Sequence, residues 1–204
     1  MSLSDTPARL TDRKRAAIID AAVAEFRAAG YEATSMDRVA ASAGVSKRTV
    51  YNHFPSKEAL FVHIVDELMA RGSDEHATPY RADVPLRDQL LELLRHKLRL
   101  LRDPDFADLA RVAIAAGLHS PELARQMTER LGQREHAVTS WVRAAVADGR
   151  LKAPDPGFAA MQLESLIKGF AFWPQIAMAQ PLLTEAQQEA VADSAVEMFL
   201  AYYG

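Results

Sequence analysis

The chain contains no cysteine, which excludes disulfides and thiolate chemistry of any kind. No apolar run reaches the roughly 18 residues that a membrane-spanning helix needs. Met1 to Arg15 is polar and lacks an apolar centre, so no secretory signal is expected and the cytoplasm is the expected location. Catalytic signatures are missing as well: there is no nucleophile elbow, phosphate loop, dinucleotide fingerprint or His-Glu-x-x-His. The six histidines form no pair at ligand spacing on one helix face. These absences lead to the expectation of a protein without enzyme activity, cofactor or metal.

What is present is an ordinary globular composition, 49% hydrophobic and 25% charged over 204 residues, enough to bury a substantial core. The net charge of -3 hides an asymmetry. Residues 1–57 hold nine Lys and Arg against six acids, a balance of +3, and the remainder carries -6. A basic head on an acidic body suggests that the head alone meets a polyanion.

Helical periodicity and helix caps run through the whole chain, and nothing reads as a strand. A first helix is predicted from about Asp12 to Ala29 and is stopped by Gly30. Thr34 or Ser35 caps a short second helix, Gly44 turns the chain, and Ser46 caps a third through Asn52. Ser56 opens a fourth, with Leu60, Phe61, Ile64 and Leu68 as its apolar stripe. Residues 72–83 read as a loop. Further helices start at Pro85, Asp103-Pro104, Ser120-Pro121 and Asp155-Pro156, and Thr184 with Gln187 forms a capping box for the last. The helix from Pro121 is predicted to be long, closing at Asp148-Gly149. The expected fold is all-α, with about nine helices.

The stretch from Thr34 to Lys57 has the pattern of a helix-turn-helix: short helix, Gly turn, short helix. Val39, Ala40, Ala43, Val45 and Val50 are placed to pack, which leaves Lys47, Arg48, Thr49, Tyr51 and Asn52 on the outer face of the third helix. Taken singly, Lys47, Arg48 and Lys57 are charges that any surface carries. The ordered set is what gives them meaning, as donors on a helix short enough for a major groove.

This pattern resembles the TetR family of transcriptional regulators, in Gly30-Tyr31, Thr34-Ser35, Val39-Ala40, Ala43-Gly44-Val45-Ser46, Thr49-Val50-Tyr51, His53-Phe54, Lys57-Glu58 and Leu60. The match covers roughly residues 10–65. The C-terminal half resembles the AefR-like subgroup more loosely, in the Asp103 start and the Asp148-Gly149-Arg150-Leu151 turn. The resemblance implies a helix-turn-helix DNA-binding domain over 1–57 and a regulatory and dimerisation domain over 58–204. It implies that Thr34, Ser35 and Ser46 lie at the DNA surface, that Thr49 and Tyr51 meet phosphates, and that Lys47 and Arg48 read base edges or phosphates. Asn52 belongs to the same face, His53 lies near the backbone, and Lys57 approaches a phosphate at the start of the fourth helix. Arg13, Lys14 and Arg15 form a candidate arm toward the minor groove.

For the body, the resemblance implies a homodimer through the last two helices and a cavity for a small, largely apolar effector. The candidate lining is Phe106, Met127, Trp141, Met161, Phe170 and Trp173, though each is also the kind of residue that fills a plain core. His96 and His119 are candidate polar handles. Pro174 cannot donate to the Phe170 carbonyl, so a kink is predicted there. The partners implied are double-stranded operator DNA, a second copy and an effector, with no membrane. The expected function is a repressor released by its effector, and a regulator that answers to a protein partner is the alternative.

Overall fold

The computed structural model describes residues 7–73, 79–132 and 137–204, and every regular element among them is a helix. The described residues form eleven helices where the sequence predicts about nine. They are α1 (Pro7–Ala33), α2 (Met36–Ser42), α3 (Lys47–His53), α4 (Lys57–Ser73), α5 (Leu86–Leu101), α6 (Pro104–His119), α7 (Pro121–Gly132), α8 (Ala137–Ala147), α9 (Pro156–Ala171), α10 (Trp173–Ala177) and α11 (Glu185–Tyr203). None of the described helices is long and apolar enough to cross a membrane.

The caps legible in the sequence are the ones that start these helices. Backbone N–H groups donate to the side chains of Ser35, Ser46, Ser56, Asp103, Ser120, Asp155 and Thr184. Each satisfies an orphan donor of a first turn. At Thr184 the Gln187 side chain reciprocates, completing the capping box.

The count differs for two reasons. The long helix predicted from Pro121 is described as two pieces, α7 and α8, and residues 133–136 between them lie outside the described ones. The predicted kink at Pro174 is a full break: α9 ends at Ala171 and α10 begins at Trp173. The Phe170 carbonyl that Pro174 cannot serve receives the Gln175 side-chain N–H instead, at 3.1 Å. Gly30, the predicted stop, sits at φ 77 and ψ 172 and breaks α1, with one more turn beyond it. Of the loop predicted over 72–83, residues 74–78 are outside those described.

The chain divides into two compact units. The first consists of residues up to Leu68 together with Asp108–Leu131. Its core is built on Ile18, Phe26, Val50, Leu60 and Phe61, none of which has any exposed surface. Full burial of each such side chain is worth roughly 1.5–3 kcal/mol. Phe26, Tyr31 and Phe61 pack ring to ring at 4.8–5.9 Å between centroids. Arg27 bonds Asp108 at 2.9 Å, fastening α1 to α6.

The second unit consists of Met69–Ala107 and Gly132–Gly204. Here α9 packs on α8, and α11 packs on both α5 and α9, around Leu90, Leu94, Leu98, Leu163, Ile167 and Val196. Gln89 is buried within it with all its polar atoms used: it bonds the backbone of Arg81 and Val84 at 2.8 Å and accepts from the Trp141 indole. Lys97 on α5 and Lys168 on α9 both donate to the Glu164 carboxylate, in a largely buried cluster.

Burial pushes the Glu164 carboxyl up, but the two ammonium groups outweigh it and hold it at about 2. The folded carboxyl gives up its proton more readily than an unfolded one at 4.5. Its contribution to stability is therefore whole above pH 4.5 and is lost as pH falls toward about 2. Glu164→Gln is expected to lower the unfolding free energy at neutral pH by about 2–3 kcal/mol. The gap between variant and wild type should close across that acid window. Urea melts at several pH values check this.

Candidate nucleic-acid interface

The turn between α2 and α3 sets the direction of the outward-facing helix. Ala43 caps α2, after which Val45 donates to the Ala40 carbonyl at 3.0 Å and Gly44 to that of Ala41 at 3.1 Å. These paired bonds form a Schellman turn, and Gly44 takes the left-handed conformation it requires, at φ 64. Ser46 then starts α3: its Oγ accepts from the Thr49 amide at 3.1 Å and shares a hydrogen bond with the Thr49 hydroxyl at 2.8 Å. Val50 is wholly buried, so α3 is pinned from behind. Lys47, Arg48, Tyr51 and Asn52 are exposed, while Thr49 and His53 are half-buried. The predicted outward face is therefore assembled as one surface.

Each cation on or near this surface has its own arrangement. The Lys47 ammonium lies 2.8 and 3.1 Å from the two carboxylate oxygens of Asp37, at the start of α2. This hydrogen bond, and then the opposite charge, raise the Lys47 pKa. Arg48 is exposed and makes no hydrogen bond or ion pair among the described residues. Lys57 is turned inward. Its ammonium donates to the Tyr31 carbonyl at 2.9 Å and sits 4.2 Å from the Tyr31 ring centre. Tyr31 in turn donates to Glu58 at 3.0 Å, and burial followed by Glu58 raises its pKa.

Three of the expected contacts involve groups already engaged within the chain. Thr34 is buried, and its hydroxyl donates to the carbonyls of Gly30 at 2.8 Å and Glu25 at 3.1 Å, so it braces the bend after α1 and offers nothing to the surface. Lys57 straps α4 to the end of α1 through the Tyr31 and Glu32 carbonyls. Arg13, Lys14 and Arg15 lie within α1, and Arg15 reaches His63 at 2.8 Å and the face of the Phe54 ring, so no extended arm includes it. Burial lowers the His63 pKa against the pull of Glu67, with Arg15 acting in the same sense as burial.

Sequence reasoning overlooked Glu25. From α1 its carboxylate takes Arg38 at 2.7 Å and Ser42 at 2.6 Å, one turn apart on α2. The i, i+4 spacing of Arg38 and Ser42 was the available signal. Nothing in the sequence marked Asp37 as the partner of Lys47, since the pairing depends on how the turn folds back.

The six residues proposed to line a cavity are divided between the two units. Met127 lies in the first unit, its Cε 3.3 Å from where a Cβ on Gly117 would stand. Trp141 is buried beside Gln89 and edge-on to Tyr80. Phe106 is buried and its ring faces that of Phe172, which in turn meets the half-exposed Trp173, with centroids 6.4 and 5.0 Å apart. Met161 and Phe170 are 67% and 59% exposed, because they face out of the second unit. They line an open groove of about 630 Å³ between α9 and α11, with Phe158, Met198 and Tyr202. His96 is half-buried beside Arg99, and the exposed His119 is bonded to its own helix at the Ala115 carbonyl.

The profile of the tetR family of bacterial regulatory proteins matches residues 18–64, and that of the AefR-like transcriptional repressor C-terminal domain matches 88–204. A TetR family transcriptional regulator from Pseudomonas syringae pv. tomato str. DC3000 is 52% identical, covering 94% of this chain and 97% of its own at a TM-score of 0.81. The flavonoid-responsive regulator FrrA is 28% identical over 94% of this chain and 97% of its own, at a TM-score of 0.77. The HTH-type transcriptional regulator RutR of Escherichia coli (strain K12) is 28% identical over 175 residues, 82% of this chain and 79% of RutR. With both halves matched and a half-identical relative spanning nearly all of it, the chain belongs to the TetR family of helix-turn-helix transcriptional regulators, in its AefR-like branch.

Proposed function

We propose that the protein is a two-fold dimeric repressor that seats one α3 in each of two successive major grooves and leaves its operator when a small, largely apolar molecule binds. The observation that carries the DNA half is the face of α3: Arg48, Tyr51 and Asn52 stand outward on a helix held by Val50, and the Arg48 guanidinium has no hydrogen-bond or ion-pair partner among the described residues. A seven-residue helix reads only a few base pairs, so two copies are needed to specify a site. Half-sites about one helical turn apart, roughly 34–36 Å, are the expectation. On genomic fragments selected for binding, Arg48→Ala should cost about 1–3 kcal/mol per head and relax preference at one base position. Fluorescence anisotropy on the selected site and its single-base variants measures both. Unchanged affinity and preference would remove α3 from the interface.

The dimer half rests on the outer face of α9 and α11. Phe158, Met161, Phe170, Met198 and Tyr202 are all about half exposed or more, an apolar concentration that water does not favour. Ser165 and Gly169 lie among them, and nothing approaches a Cβ placed on Gly169. Phe199, by contrast, is buried in its own chain and serves folding. Met161→Glu and Gly169→Leu should therefore leave helix content intact while shifting the protein to monomer in sedimentation velocity, and operator binding should fall with it. A wild-type protein that sediments as a monomer at micromolar concentration would remove this part of the reading.

The effector half draws on the relative described as flavonoid-responsive and on the aromatic side chains of the second unit. A ligand that favours the non-binding state by about 1–3 kcal/mol lowers operator affinity 5- to 150-fold. Aromatic and aliphatic compounds added to the preformed operator complex should include some that release it while changing tryptophan emission from Trp141 or Trp173. A protein partner as the signal is favoured if none does.

A further inference from the structure

The pairing of Lys47 with Asp37 has a consequence for how the α3 face divides its work. Lys47 is the first residue of α3, and Asp37 lies in the first turn of α2. Both side chains are more than 60% exposed, yet the ammonium touches both oxygens of the carboxylate, at 2.8 and 3.1 Å. Arg48, the next residue, has no such partner among the described residues. In a helix-turn-helix the start of the second helix meets base edges while the first crosses the backbone. A cation there, if uncommitted, reaches phosphates whatever the sequence. Each such contact releases counterions and steepens the salt dependence of affinity by about 0.9 in the logarithmic slope. A carboxylate at the same place withdraws one such cation.

We infer that Asp37 is a specificity-determining residue, holding Lys47 against α2 so that sequence-independent affinity is lowered and discrimination falls to Arg48 and Asn52. The inference rests on α3 being the DNA face. The pair is exposed, and exposed pairs open at little cost. Asp37 is thus a mask that a well-seated site can displace and a poor one cannot. The Tyr51 ring lies 6.0 Å from the same ammonium.

The test compares wild type with Asp37→Asn, Lys47→Ala, the double variant and Arg48→Ala, on the selected operator and on a scrambled duplex over a range of salt. Asp37→Asn should bind scrambled DNA severalfold more tightly. Its salt slope should steepen by about 1 per head, and the ratio of operator to scrambled affinity should fall. In the double variant the steepening should vanish, because it acts through Lys47. If Arg48→Ala weakens operator binding but Asp37→Asn leaves the slope at the wild-type value, the mask is refuted and the DNA face stands. Persistence of the full effect without Lys47 also refutes it, since bulk charge would then be the cause. If Arg48→Ala and Asp37→Asn both leave DNA binding unchanged, the DNA face itself falls. Thermal melts of each variant show that the head remains folded.

Discussion

A helix of seven residues does not hold itself together in water, because its nucleation cost is spread over too few hydrogen bonds. Everything α3 offers to a partner depends on what supports it from outside. Val50 is buried without remainder, Ser46 closes the first turn, and the Schellman bonds at Gly44 set the angle of entry. Behind these, Glu25 grips α2 through Arg38 and Ser42, while Thr34 braces the bend where α1 ends. The aromatic packing of Phe26, Tyr31 and Phe61 gives this frame its rigidity. Side chains on α3 are thereby presented in fixed relation to one another, which is what discrimination between base edges demands.

The same frame consumes most of the head's positive charge. Arg15, Arg27, Arg38, Lys47 and Lys57 each face a carboxylate, an imidazole or a carbonyl within the first unit. A count of basic residues therefore overstates what is free to meet a polyanion. The modest excess of the N-terminal segment is spent largely on holding helices together, and the reading surface depends on where the remaining charge stands. The second unit handles charge differently. Its Lys97–Glu164–Lys168 cluster is sunk between α5 and α9, where partial burial makes the pairing stronger and the loss of one member more costly.

Much of this was legible in the sequence, because the signals are local. Caps at Ser35, Ser46, Asp155 and Thr184 and breaks at Gly30 and Gly44 depend on a residue and its near neighbours, and each is where the pattern put it. The outward set on α3 followed from periodicity alone. What the sequence could not show were the partners reached across space. Thr34 reads as a surface hydroxyl until the bend at Gly30 turns it inward, and Lys57 reads as an exposed charge until the end of α1 arrives beside it. Phe106, Trp141 and Met161 share a composition that suits a cavity, but helix phase sends the first two inward and the third out. Phe199 and Met198 are adjacent in sequence and face opposite ways for the same reason.

The central claim is that α3 lies in the major groove and that two copies do so on one face of the DNA. Guanine N7 is exposed only in the major groove, so methylation protection on a selected operator reports it directly. The account predicts two clusters of protected N7 positions, their centres about one helical turn apart. Protection confined to minor-groove adenine N3, or none at any guanine within the bound region, would contradict it.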